Sequence, residues 1–129
     1  MKKFLLLILF GSFLVASEIQ WQQDYESALK TAQATKRPIF MFVESEDCFF
    51  CKEMKKKTLT KEKVISTLNT EFVPLKVMQG DGRYPESKYP IKGTPTIFFI
   101  SPDQEWYMSP LLGYANEFKM LKKLAKGYE

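Results

Sequence analysis

The hydrophobic positions near the start of the chain predict a helix followed by a buried strand. Apolar side chains recur at the three- and four-residue spacing that places them on one face of a helix: Tyr25, Ala28, Leu29 and Ala32. Asp24 is suited to cap this helix, and Pro38 ends it. The apolar run 39–43 is rich in β-favouring residues, so it predicts a strand buried on both faces.

The pattern next alternates between helix and strand. A helical stretch is predicted from Cys48 to about Leu59. A second helix, capped by Thr60, turns three apolar residues inward: Val64, Ile65 and Leu68. The run 72–78 is the next strand. Two buried strands joined by helical segments form a βαβ unit, whose crossover is expected to be right-handed.

The last third of the chain predicts a loop, a hairpin and a helix. Residues 79–92 contain Gly, Pro and polar residues typical of a loop, and 96–100 is an apolar strand. Turn chemistry at 101–104 predicts an antiparallel return over 105–108. The last helix is expected to begin at Asn116, end at Gly127 and face the core with four side chains: Phe118, Leu121, Leu124 and Ala125. The predicted class is therefore α/β, with a mixed central sheet flanked by helices.

The first seventeen residues have the pattern of a targeting signal rather than of a folded element. Lys2 and Lys3 precede an uncharged run over 4–15, and small residues at 15 and 17 suit cleavage after Ser17. A membrane span needs about 20 apolar residues, and this run is shorter. We therefore predict a signal peptide at 1–17, a single domain at 18–129, export to a bacterial periplasm and no stable membrane span after cleavage.

Composition and charge exclude several classes of function. The chain has 129 residues and a formal net charge of +4, of which the predicted signal peptide supplies +2. This excess is too weak to indicate a nucleic-acid partner, and the four Lys within 52–58 are interpreted as a solvated helix face. The chain contains no His, which excludes His-based catalysis and imidazole metal ligands.

Cys48 and Cys51 are the two cysteines of the chain, and they follow a predicted strand at the start of a predicted helix. Free N–H groups and the positive end of the helix dipole favour a thiolate there. Cys48 is the candidate nucleophile, and Cys51, one turn deeper, is placed to attack a mixed disulfide. A structural disulfide or a soft-metal site with a Met are the alternatives. A zinc site needs two more ligands. We expect no metal and no cofactor.

A second motif, residues 93–96, reads Gly-Thr-Pro-Thr directly before a strand. Pro lacks an N–H and is disfavoured in central strands. Pro95 is therefore either the first residue before the strand or a cis-Pro, and the cis form of such a bond costs only about 0.5–1 kcal/mol. The sequence leaves both geometries open.

Together these residues resemble the thioredoxin superfamily. The two cysteines after the strand, with Thr94-Pro95 before the next one, carry the resemblance. Residues 21–39 look like the bacterial thioredoxin-related proteins that have an N-terminal helix before the first core strand. The resemblance implies that Cys48 attacks, that Cys51 resolves, that Pro95 is cis and that the Thr94 backbone pairs with an extended substrate. Phe49 is predicted to contact substrate as well.

Two positions depart from thioredoxins proper. The dipeptide between the cysteines is Phe49-Phe50 rather than Gly-Pro, and Phe42 stands where a buried Asp would be six residues before the first Cys. Glu44 is the candidate to replace that Asp as proton acceptor for Cys51. Its alternative is to end the strand in solvent.

The direction of exchange is predicted from charge. Glu44, Glu46 and Asp47 precede Cys48, and nearby like charge disfavours a thiolate. Because strong oxidants stabilise their thiolate form, we favour a reductase of exported protein disulfides, supplied with electrons by a membrane thiol donor. The alternatives are a disulfide oxidase or isomerase, and a non-catalytic peptide-binding module.

Overall fold

Four strands and four α-helices make up residues 18–126, the part of the chain that the computed structural model describes. The helices are α1 (Tyr25–Thr35), α2 (Phe49–Glu53), α3 (Glu62–Glu71) and α4 (Glu117–Ala125), and a π-helical segment, Met54–Thr58, continues α2. The strands are β1 (Ile39–Glu44), β2 (Val73–Met78), β3 (Thr96–Ile100) and β4 (Trp106–Leu112). The predicted signal peptide and the predicted helix end at Gly127 lie outside the described residues.

The strands form one mixed sheet in the order β2-β1-β3-β4. Strand β1 pairs in parallel with β2 and antiparallel with β3, and β4 returns antiparallel beside β3. The predicted mixed sheet with flanking helices is therefore confirmed. Strand β4 extends further than the predicted 105–108, and it includes Pro110, which an edge strand tolerates because one side of its backbone is unpaired.

Both faces of the sheet are covered, so alternate residues of β1 enter different cores. Phe40 and Phe42 pack with α2, α3 and α4 on one face. Ile39, Met41 and Val43 pack on the other face with α1 and with two buried tyrosines of the loop after β2, Tyr84 and Tyr89. All six residues of β1 are buried, which confirms the strand predicted to be buried on both sides.

Helix α1 begins where the sequence predicts. The Asp24 carboxylate accepts a hydrogen bond of 2.8 Å from the Ser27 N–H. In return, the Ser27 hydroxyl accepts a hydrogen bond from the Asp24 backbone N–H. This capping box satisfies backbone N–H groups that the first helical turn leaves unpaired. The hydrogen bond from the Ser27 backbone also lowers the pKa of Asp24.

The predicted cap of α3 is wrong. Lys61, not Thr60, occupies the cap position, and no side chain closes that end. The Thr60 hydroxyl instead donates to the Lys56 carbonyl at 2.7 Å, so it completes the preceding π-helical segment. The inward positions Val64, Ile65 and Leu68 are buried as predicted.

The predicted core face of α4 is also partly wrong. Met120 and Leu124 are the buried residues of this helix, whereas Phe118 is 76% exposed and Ala125 is exposed. Two residues correspond to about 200° of rotation around an α-helix. Phe118 therefore lies nearly opposite Met120, and the helix could not bury both.

None of the helices between residues 18 and 126 combines the length and the hydropathy that crossing a bilayer requires.

Phe40 and Phe118 provide a matched test of this packing. Phe40 is fully buried, with its ring edge-on to Phe99 at a centroid distance of 5.7 Å. Phe40→Ala should lower the free energy of unfolding by about 3–5 kcal/mol, whereas Phe118→Ala should change it by less than about 0.5 kcal/mol. Urea denaturation of the oxidised protein measures both values. A comparable loss in the two variants would contradict the described orientation of α4.

Candidate active site

Cys48 stands at the junction between β1 and α2. It is the N-cap residue of α2, and its Sγ atom accepts a hydrogen bond of 3.1 Å from the Cys51 N–H. Asp47, just before it, has a left-handed backbone with φ of 54°. Asp tolerates this conformation better than most residues do. Cys48 is half-buried, so the sulfur at the positive end of the helix remains accessible.

Cys51 is joined to Cys48 by a disulfide and lies deeper in the fold. Its side chain is 1% exposed and belongs to the core between α2, α3, α4 and the sheet. The two sulfurs therefore differ in access, although they are bonded to one another. In a thiol–disulfide exchange, the more accessible sulfur of such a pair is the one that an external thiol or disulfide can reach.

Thr94 and Pro95 lie beside the loop that leads to Cys48. The Thr94–Pro95 peptide bond is cis. The Thr94 hydroxyl shares a hydrogen bond of 2.5 Å with the Ser45 hydroxyl, and Val43 is paired with Thr96 across β1 and β3. A shallow cavity of about 270 Å³ adjoins Pro95, and Leu112 contributes to its lining from β4.

Exposed aromatic rings surround the N-terminus of α2. Phe49 is 65% exposed and Phe50 is 55% exposed, and their rings meet edge to face at a centroid distance of 5.3 Å. Phe50 also contacts the Tyr114 ring at 6.5 Å. Two exposed Phe side chains next to a half-buried Cys form an apolar surface that suits the side chains of an extended peptide.

Glu44, the candidate proton acceptor, is buried rather than exposed at the end of β1. Its Oε1 atom forms an ion pair of 2.7 Å with the Lys55 Nζ atom. Its Oε2 atom is also buried, and no residue of the described range 18–126 hydrogen-bonds to it. Lys55 follows Cys51 by about one helical turn, so the ion pair joins the end of β1 to the helical stretch that contains the deeper cysteine.

Two further residues of this region were not predicted from the sequence, Lys55 and Leu112. A Lys four residues after Cys51 is a usable signal for the first, because that spacing places two side chains on one face of a helix. No sequence signal identifies Leu112, because the register of β4 against β3 decides where it lies.

Within residues 18–126 no three His, Cys, Asp or Glu side chains come close enough together to hold a metal ion.

Comparison with known families gives one match over most of the chain. The family described as the thioredoxin-like domain matches residues 25–128. Among curated proteins, anterior gradient protein 3 of Mus musculus is 27% identical over 88 residues, which cover 66% of this chain and 51% of that protein. The chain thus spans about half the length of the curated relatives that it matches.

Two solved structures have the same fold at similar identity. A thioredoxin from Thermus thermophilus is 28% identical, with a TM-score of 0.73 and coverage of 84% of this chain and 86% of that one. A protein from Bacteroides thetaiotaomicron, provisionally assigned as a disulphide isomerase, is 27% identical. Its TM-score is 0.74, and the alignment covers 88% of this chain and 96% of that one.

The unequal burial of the two sulfurs makes a kinetic prediction. After reduction, Cys48 should react with iodoacetamide at least about tenfold faster than Cys51, because Cys48 is accessible at the helix N-terminus and Cys51 is buried. Quenched labelling with peptide mass spectrometry measures both rates in one sample, and denatured protein serves as the control in which the rates converge. Equal rates in the folded protein, or faster labelling of Cys51, would contradict the described geometry.

Proposed function

Because the chain belongs to the thioredoxin-like domain family, we propose that it reduces disulfides in exported proteins by dithiol–disulfide exchange at Cys48 and Cys51. The single observation that supports this most strongly is the geometry of the pair. A half-buried sulfur caps α2, and a buried sulfur one turn later is disulfide-bonded to it. The fold and this pair together support thiol–disulfide exchange as the chemistry.

The proposed reaction has two exchange steps. The Cys48 thiolate attacks one sulfur of a substrate disulfide, which forms a mixed disulfide and releases the other substrate sulfur as a thiolate that takes up a proton. The Cys51 thiolate then attacks the Cys48 sulfur, which releases the second substrate thiol and leaves the Cys48–Cys51 disulfide. Two electrons pass to the substrate, and a donor dithiol must return two electrons before the next cycle.

Glu44 is proposed to accept the proton that Cys51 loses. Its burial and its unpartnered Oε2 atom support this role, because a carboxylate oxygen without a hydrogen-bond donor has capacity for a proton. The ion pair with Lys55 holds one oxygen of this carboxylate against the helical stretch that contains Cys51. Glu44 would act by proton transfer at its Oε2 atom, and the substrate is not expected to touch it.

Thr94, Pro95 and Phe49 are proposed to hold the substrate. The hydrogen bond between Thr94 and Ser45 holds Thr94 beside the loop that leads to Cys48, which supports this role. The exposed Phe49 ring supports apolar contact with residues that flank the substrate cysteine. An extended peptide that pairs with the Thr94 backbone would bring its sulfur towards Cys48.

The charges around Cys48 support the reducing direction. Glu46 and Asp47 are exposed and immediately precede Cys48, and their charge opposes the thiolate. Glu44, the third carboxylate that precedes Cys48, is paired with Lys55. Its charge therefore opposes the thiolate less than its position in the sequence indicates. Glu46 and Asp47 are therefore the two carboxylates that support the reducing direction.

We place this reaction in the bacterial periplasm. The basic start, the apolar run and the small residues before Glu18 support export and cleavage after Ser17. An oxidising compartment does not keep a dithiol reduced. The proposal therefore includes a membrane thiol donor that reduces the Cys48–Cys51 disulfide.

Insulin reduction tests the activity. With dithiothreitol as electron donor, the wild-type protein should accelerate precipitation of the insulin B chain, and Cys48→Ser should return the rate to that of dithiothreitol alone, because the attacking sulfur is lost. Phe118→Ala, an exposed change on α4, should behave like the wild type. Equal rates with and without Cys48 would favour the peptide-binding module instead.

A glutathione redox titration tests the direction. The wild-type potential should lie nearer to about −270 mV, the value of thioredoxin, than to about −120 mV, the value of a strong periplasmic oxidant. The double variant Glu46→Gln, Asp47→Asn should shift the couple by some tens of millivolts towards the oxidant, since neutral neighbours favour the thiolate. A wild-type value above about −150 mV would reverse the proposed direction. An unchanged potential in the double variant would contradict the proposed effect of Glu46 and Asp47.

Glu44→Gln tests the proton acceptor, with Glu71→Gln as the matched control on an exposed residue of α3. The introduced amide cannot accept the proton, so release of a mixed disulfide by Cys51 should slow about tenfold or more at neutral pH. The rate should also recover as pH rises, because hydroxide then deprotonates Cys51 directly. Stopped-flow measurement of release across pH gives both results. A uniform loss at every pH would indicate a structural role for Glu44 rather than proton transfer.

A further inference from the structure

Charge is divided unequally between the helices on one face of the sheet and the rest of the described chain. The helical layer on one face of the sheet, residues 49–71 and 117–126, contains ten Lys and four Glu. The remainder of the described chain contains seven basic and ten acidic residues. The helical layer therefore has a formal charge of +6, and the remainder has −3. The small net charge of the described residues as a whole conceals this division.

Five exposed lysines of this layer lie on α4 and at the start of α3. Lys119, Lys122 and Lys126 follow one another by three and four residues, so they share the side of α4 that faces away from the buried Met120 and Leu124. Lys61 and Lys63 are the exposed lysines where α3 begins, and α3 lies beside α4. Together with Phe118 they are called the lysine face below.

Phe118 supplies an apolar group within this surface. It is 76% exposed, and it lines a shallow cavity between α3 and α4 together with Lys63, Leu121, Glu62 and Glu117. The two carboxylates reduce the local positive charge without cancelling that of the five lysines. An exposed aromatic ring among lysines is the combination by which peripheral proteins bind a lipid surface.

The type of basic residue distinguishes among anionic partners. All ten basic residues of the helical layer are Lys, and both Arg of the chain, Arg37 and Arg83, lie elsewhere. Protein–protein interfaces are enriched in Arg and depleted in Lys, since the planar guanidinium binds carboxylates with two directed hydrogen bonds. Lysines act as mobile point charges, and these suit a diffuse layer of lipid phosphates better than a fixed carboxylate.

We propose that the lysine face binds the anionic headgroup surface of a lipid bilayer, with Phe118 at the depth of the headgroups. The contact is peripheral and depends on ionic strength, because exposed charges are screened over about 8 Å at physiological salt. The lining of the cavity beside Pro95 includes no residue of the lysine face, so binding leaves that cavity open to a substrate.

Vesicle partitioning of the full chain tests this proposal. Wild type is compared with Lys119→Gln, Lys122→Gln, Lys126→Gln and with a control of equal charge change on other surfaces, Lys30→Gln, Lys36→Gln, Lys88→Gln. Cosedimentation with phosphatidylglycerol–phosphatidylcholine vesicles at low salt should show partitioning reduced at least about tenfold in the α4 variant and by less than about threefold in the control. Residues 1–17 are identical in all three proteins, so the comparison isolates the lysine face.

Several outcomes decide the proposal. A preference of the wild type for anionic over neutral phosphatidylcholine vesicles that disappears in about 1 M NaCl would support it. Insulin reduction should be the same in all three proteins, which keeps a failure here distinct from a failure of the exchange activity. Equal losses in the two triple variants would overturn the proposal. So would tighter binding of a polyglutamate peptide or a DNA duplex than of the vesicles, lost in the α4 variant.

Discussion

The arrangement of this protein depends on the burial of β1 from both sides. Six consecutive residues have no exposed face, and each backbone edge is paired, with β2 on one side and β3 on the other. A central strand held in this way has little freedom to shift, because a slip of one residue would exchange its two core faces. The loop that follows β1 therefore begins at a fixed position and places Cys48 at the start of α2.

The same constraint explains the unusual carboxylate near the cysteines. Glu44 is the last residue of β1, so its side chain is enclosed by the fold at the point where the chain turns towards Cys48. A buried carboxylate is costly unless it is paired, and Lys55 provides a partner from the segment that follows Cys51. The pair thus couples the end of the central strand to the helical segment that carries the deeper sulfur.

The sequence contained enough information for the central elements, and tertiary contacts decided the rest. The run 39–43 and the Asp24 cap are local signals, and both predicted elements are present. Helix α4 offers two apolar groups on different sides, Met120 with Leu124 and Phe118 with Ala125, and periodicity cannot rank them. The cis bond at Pro95 was indicated by the family resemblance and not by local patterns. The pairing of Glu44 with Lys55 joins two separate elements, and local patterns do not predict it.

A trapped intermediate tests the central claim most directly. In a Cys51→Ser variant the resolving sulfur is absent, so the mixed disulfide formed by Cys48 cannot be released within the protein. Incubation with oxidised periplasmic extract, followed by acid quenching and peptide mass spectrometry, should give adducts in which Cys48 is joined to cysteines of exported proteins. These adducts should form in Cys51→Ser and be absent from the double variant Cys48→Ser, Cys51→Ser. Adducts at Cys51 in the Cys48→Ser variant, with none at Cys48 in Cys51→Ser, would contradict it.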